Sequence, residues 1–166
     1  MKKLCNPFVH LDGYHCFGCA PDNAAGLKME FYEDGADIVS HWAPQPEYQG
    51  WLGTLHGGIE SLLLDEICGW VVMRKLQTAG VTSKMETRFL KPVHTDGDTL
   101  EVRARLRETR RNLAVIDAEL RNGAGEVCTR ATCTYYTLPP ERAASEMHFR
   151  CCRTEEEAAA DAPAQP

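Results

Sequence analysis

One segment constrains this chain more than any other. Residues 59–77, IESLLLDEICGWVVMRKLQ, are the one stretch that is both long and helically periodic. Ile59, Leu62, Leu63, Leu64, Ile67, Val71, Val72 and Leu76 cover more than one stripe of that helix. A helix apolar over most of its circumference must be surrounded by other structure. Lys75 suits its C-terminal end, and Gly80 is the expected left-handed residue that stops it.

What surrounds the helix is also legible. Before it, residues 27–32 (LKMEFY) alternate apolar and polar, and residues 36–42 offer a partner strand across the Glu33-Asp34-Gly35 turn. After Gly80 the period is two throughout: strands at 81–90, 100–107, 114–121 and 126–138, divided by turns at Asp96-Gly97, Arg110-Arg111-Asn112 and Asn122-Gly123. The expected fold class is therefore α+β, one long central helix wrapped by an antiparallel sheet of about six strands. Residues 1–26 read as an irregular leader with a CxxC, 27–140 as the domain, and 141–166 as a disordered C-terminal tail rich in Ala and Glu.

The 166 residues suffice for one domain with a sizeable core. A formal net charge of −6 argues against a general nucleic-acid coat, and no apolar run reaches the length of a membrane span. The two lysines near the N-terminus have no apolar stretch behind them, so a cytoplasmic location is expected, with neither nucleic acid nor membrane as partner. The eight cysteines then read as thiols. Cys16 and Cys19 could join Cys151 and Cys152 in a four-thiolate metal site. Adjacent cysteines chelate one ion poorly, so the expectation is no metal and no cofactor.

Chemistry concentrates in LHGGIESLLLDEICGW, residues 55–70. Here the chain resembles the PaaI-type branch of the hotdog-fold thioesterases, which includes the THEM-type acyl-CoA thioesterases. In that pattern an HGG opens the central helix and an acidic residue follows nine positions after the histidine. His56, Gly57, Gly58 and Asp65 match in type and spacing. The leader segment YHCFGCAPDNAAGLKMEFYEDG also looks like the start of such proteins. The resemblance implies a hotdog fold, an acyl-CoA substrate, no cofactor, and a homo-oligomer (dimer or dimer of dimers) whose sites draw on two chains.

Elementary chemistry agrees. A thioester carbonyl under attack becomes an oxyanion, which backbone N–H groups at a helix N-terminus stabilise. Gly57 and Gly58 let a substrate approach that backbone closely. Asp65, a carboxylate on a mostly apolar helix, is the candidate base or nucleophile. Gly57 and Asp65 lie about 12 Å apart along the helix, far for one reacting carbon, and the resemblance implies that the donor of one chain faces the carboxylate of another. His56 is expected to orient the loop. The resemblance places a polar residue near the attacking water at the start of the third strand, where Thr82, with Ser83 beside it, is the candidate, strand packing being the alternative.

There is one departure from the pattern. Some relatives carry an asparagine six residues before the histidine, where this chain has Gly50, so Gln49 is the candidate substitute donor. Arg103 and Arg105, within a run that includes Arg107, Arg110 and Arg111, are candidates for the phosphates of CoA or else a solvated, paired strand face. Asp65 has a structural alternative too, pairing with Arg74 or Lys75 of a neighbouring copy. Glu66 reads as solvated or paired, and Glu60 as a first-turn charge. Trp42, Tyr48, Trp51 and Trp70 are candidates for an acyl pocket or for the core. The competing functions are a non-catalytic acyl-CoA binder and a hotdog hydratase or dehydratase.

Overall fold

The computed structural model describes residues 1–161. Helix α1 (Gly57–Leu76) lies across one face of a seven-stranded antiparallel sheet in the order β1-β2-β3-β7-β8-β9-β6. The strands are β1 (Lys2–Lys3), β2 (Tyr32–Asp34), β3 (Asp37–Trp42), β6 (Gly80–Phe89), β7 (Leu100–Arg110), β8 (Leu113–Arg121) and β9 (Val127–Thr137). A separate hairpin, β4 (Gln49–Trp51) with β5 (Thr54–Leu55), leads into the helix. The α+β architecture of a central helix on an antiparallel sheet is thus as expected, with one strand more.

Burial explains the arrangement. Leu63, Leu64, Ile67, Cys68, Trp70, Val71 and Val72 are all buried, at 2% exposure or less. They meet the inward residues of the sheet, among them Val102, Ala104, Ile116, Leu120 and Cys133. Each large aliphatic side chain so buried contributes about 1.5–3 kcal/mol. The intervening residues of β7 and β8, charged in type, stay on the other face.

Three local expectations are corrected. The stretch before β2 alternates in burial as a strand would, with Leu27, Met29 and Phe31 inside, but it is not one. Lys28 takes a positive φ of 53°, and the backbone N–H groups of Leu27 and Met29 donate to Phe17 and Gly18 of the leader. The helix ends at Gln77, in the left-handed region at φ 49°, rather than at Gly80. Gly80 instead starts β6, where an added Cβ would lie 2.8 Å from the Tyr136 carbonyl oxygen.

The third correction concerns the ends of the chain. The leader is tied down: β1 joins the sheet, and the Cys5 N–H donates to the Arg153 carbonyl at 2.8 Å. Over residues 141–161 the tail is structured, with α2 (Pro140–Glu146) and α3 (Glu155–Ala160). Ala143, Phe149, Cys152 and Thr154 are buried. Arg74 near the end of α1 reaches Glu33, Glu157 and the Cys152 carbonyl, and Gln77 bonds both the N–H and the C=O of Cys152. Residues 162–166 of the expected tail lie outside the described residues.

Candidate active site

The N-terminus of α1 is built by His56. Its backbone is extended, and its Nδ1 accepts the Gly58 N–H at 2.8 Å, capping the helix. An accepting Nδ1 leaves the proton on Nε2. The Ile59 and Glu60 N–H groups donate to the His56 carbonyl. Gly58 therefore has its N–H engaged and is not the free donor expected of it. The Gly57 N–H has no partner among the described residues. His56 Nδ1 ties the loop to the first turn of α1.

Two turns along, Asp65 is half-buried and faces the sheet's β6 edge. Its Oδ1 accepts from Thr82 Oγ1 at 2.7 Å and from the Tyr135 hydroxyl at 2.8 Å. Tyr135 also lies 2.7 Å from the Asp65 carbonyl oxygen. Thr82 and Tyr135 are direct partners across β6 and β9, so their side chains share a face and converge on one oxygen. Burial, and then the charge of Asp65, push the Tyr135 phenol above its usual range, so it remains a donor. Among the described residues Asp65 Oδ2 has no hydrogen-bond partner. One oxygen is anchored twice and the other has no partner there.

A bulge sets the aim of Thr82. The β6–β9 register shifts between Thr82 and Lys84, and Ser83 is the extra residue. Its hydroxyl donates to the Thr134 carbonyl at 2.9 Å, so Ser83 serves the sheet. Gln49 is likewise engaged, its Oε1 accepting the Gly53 N–H at 3.0 Å across the β4–β5 turn. Gly50 has a steric reason: a Cβ there would lie 3.1 Å from the His56 ring. The departure from asparagine lets the hairpin lie against the capping histidine.

The arginines read as paired. Arg103 meets Asp34, Asp37 and Glu101, Arg105 meets Asp37, and Arg107 meets Asp117. Carboxylates line the concave outer face of the sheet beside them, on the side away from α1. There Asp37, Glu86, Asp117 and Glu119 stand among Arg88, Arg103, Arg105, Arg107 and Arg130. Arg74 and Lys75 are both held by Glu33 of the same chain, at 2.7 Å and 2.5 Å. Trp42 and Trp70 belong to the core, Tyr48 donates to the Gly26 carbonyl, and Trp51 is exposed.

Two carboxylates differ from expectation. Glu60 is 4% exposed and accepts a hydrogen bond from Thr129. Glu66 is partly buried and has no ion-pair partner among the described residues: Trp70 Nε1 donates to it at 3.3 Å and the Cys16 thiol lies 3.6 Å away. Burial first, then the neighbouring sulfur, push its carboxyl up to about 7. Cys151 and Cys152 do not join Cys16 and Cys19.

Comparison with known proteins gives a consistent picture. Residues 52–129 match the family model described as the thioesterase superfamily. A hypothetical thioesterase from Streptococcus pneumoniae TIGR4, solved with coenzyme A, is 25% identical with a TM-score of 0.61, over 66% of this chain and 87% of that one. The PaaI protein of E. coli, from the phenylacetic acid degradation operon, is 21% identical with a TM-score of 0.63, over 68% and 81%. Thioesterase superfamily member 2 of zebra fish is 23% identical with a TM-score of 0.60, over 68% and 82%. No curated protein matches by sequence. The resemblance read from the HGG and Asp65 spacing is borne out: this chain has the hotdog fold, and its central segment carries the sequence pattern of the thioesterase superfamily.

Proposed function

We propose that the protein is an acyl-CoA thioesterase in which Asp65 is the catalytic base. The observation that carries the reading is the Asp65 carboxylate, anchored through Oδ1 by Thr82 and Tyr135 with Oδ2 left open. In the proposed step Oδ2 takes a proton from water as the water oxygen attacks the thioester carbon. The carbonyl becomes an oxyanion, which the Gly57 N–H stabilises. The carbon–sulfur bond then breaks, and the CoA thiolate leaves with the proton held on Asp65, which returns to the carboxylate.

The donor and the base come from two copies, since eight residues of helix separate them by about 12 Å. A homodimer fits the shape of the chain. β6 is a ten-residue edge strand with its outer side unpaired, and Val81, Phe89 and Leu90 beside it are exposed at 48%, 55% and 52%. A long unpaired edge with exposed apolar residues at its ends is a template for another strand. Pairing β6 with its symmetry mate covers it and brings the Asp65 edge of one copy toward the partner. The CoA-bound and acetyl-CoA-bound relatives support CoA thioesters as the ligand class. Among the described residues no helix is long and apolar enough to cross a membrane.

The reading is tested by free-thiol release from acyl-CoA substrates, with Tyr135→Phe assayed beside the parent. Loss of the phenol leaves Asp65 with Thr82 alone, so kcat is expected to fall roughly 10-fold with KM little changed, the worth of one hydrogen bond of about 1.5 kcal/mol. A Tyr135→Phe enzyme with unchanged kcat would show that this anchor plays no part in the chemistry.

A further inference from the structure

Outside the Asp65 site, three groups with metal-ligating chemistry converge where the leader crosses α1. Cys16 Sγ, Cys19 Sγ and a carboxylate oxygen of Glu66 lie within 4.8 Å of one another. The thiols come from the HCFGC loop of the leader and the carboxylate from the helix fifty residues later. The fold has brought them together. The loop also makes room for the carboxylate: a Cβ on Gly18 would lie 2.4 Å from Glu66 Cδ.

The geometry points to a site for a divalent, thiolate-binding transition metal, with zinc as the fitting ion, held by Cys16, Cys19 and Glu66. Tetrahedral zinc with sulfur at ~2.3 Å and oxygen at ~2.0 Å sets sulfur and oxygen ligands about 3.5 Å apart. Cys16 Sγ is 3.6 Å from each Glu66 oxygen. Two sulfurs and one carboxylate suit a borderline-soft ion and poorly suit calcium or magnesium. Three protein ligands leave the fourth position to water.

Two further observations fit a cation and not a plain thiol pair. Glu66 is a partly buried carboxylate that faces two thiols and the Trp70 indole N–H, with no cation beside it among the described residues. The surroundings already hold the ligands as an outer layer of a metal site does. The Tyr14 hydroxyl lies 3.0 Å from Cys19 Sγ, Asn6 Nδ2 donates to the same sulfur at 3.7 Å, and Trp70 Nε1 donates to Glu66. A metal here would staple the leader to α1 one residue from Asp65, a structural role independent of the thioesterase reading.

The test uses the full reduced chain, freed of metal by a chelator and titrated with zinc, then with cobalt(II). Binding of about one ion per chain is expected, with a thiolate-to-cobalt charge-transfer band and a rise in melting temperature on loading. Cys16→Ser and Cys19→Ser should each abolish the band, and Glu66→Gln should weaken binding by more than 10-fold. Tyr14→Phe, which only loosens the outer layer, should cost about 10-fold. Cys151→Ser and Cys152→Ser should leave stoichiometry and band unchanged. The assignment is overturned if the reduced parent binds no ion. It is equally overturned if Cys16→Ser and Cys19→Ser bind as the parent does, or if the two sulfurs prove to be a disulfide that reductant opens without creating zinc affinity. None of these readouts depends on thioester hydrolysis.

Discussion

Asp65→Asn is expected to lower kcat for acyl-CoA hydrolysis by roughly 10²–10⁴-fold, the usual range for a positioned acid or base. The substitution keeps the shape of the side chain and an oxygen for Thr82 and Tyr135 to bond, so the anchor at Oδ1 survives. What changes is the open oxygen, which becomes an amide NH₂ and accepts no proton. Folding should be retained, because a neutral amide is easier to desolvate than a carboxylate. Acyl-CoA affinity should be retained as well, since the Gly57 N–H is untouched. Steady-state kinetics with matched melting curves check this. A folded Asp65→Asn enzyme with near-parent kcat would remove the base from the mechanism.

The second large effect concerns stability. Phe149 is 1% exposed, packs on Phe8 with ring centroids 6.2 Å apart, and donates its N–H to the Ala143 carbonyl. Phe149→Ala should cost about 3–5 kcal/mol, the range for emptying an aromatic site in a packed interior. Urea unfolding measures it. A loss below about 1 kcal/mol would mean that the segment after Pro140 is a loose appendage and not part of the fold.

The contrast between these two positions shows what the sequence made legible. The helix and the meander after it depend on local periodicity, which survives in any window of the chain. Asp65 stood out because a carboxylate interrupts an apolar helix at a set spacing from HGG. Thr82 was singled out through the resemblance, and the structure sets its hydroxyl on Asp65. Tyr135 was missed because it meets Asp65 only through the register that sets it opposite Thr82, a pairing of strands more than fifty residues apart. Glu66 and Cys16 were missed as a pair for the same reason, their contact spanning fifty residues through a loop with no regular structure.

The C-terminal segment failed differently. Its Ala and Glu content suggested disorder, yet a local signal was present. Thr154 followed three residues later by Glu157 is a capping box, and both of its hydrogen bonds form, at 3.2 Å and 2.9 Å. Burial of Phe149 and Cys152 just before it supplies the tertiary anchor that composition hides. The arginines teach the converse. Alternation put them correctly on the outer face of the sheet, but partners such as Asp37 and Asp117 lie on neighbouring strands, so the run looked more available than it is.

The most direct test of the whole account is release of free thiol by the purified protein from a panel of acyl-CoAs of short, long and aromatic acyl groups. Loss of the enoyl chromophore is followed in parallel with an enoyl-CoA. The account predicts catalytic turnover of thiol from at least one member of the panel, and no hydration of the enoyl thioester. Tight binding of acyl-CoA without thiol release would contradict it and leave a binding module. Hydration without thiol release would contradict it in favour of a hydratase.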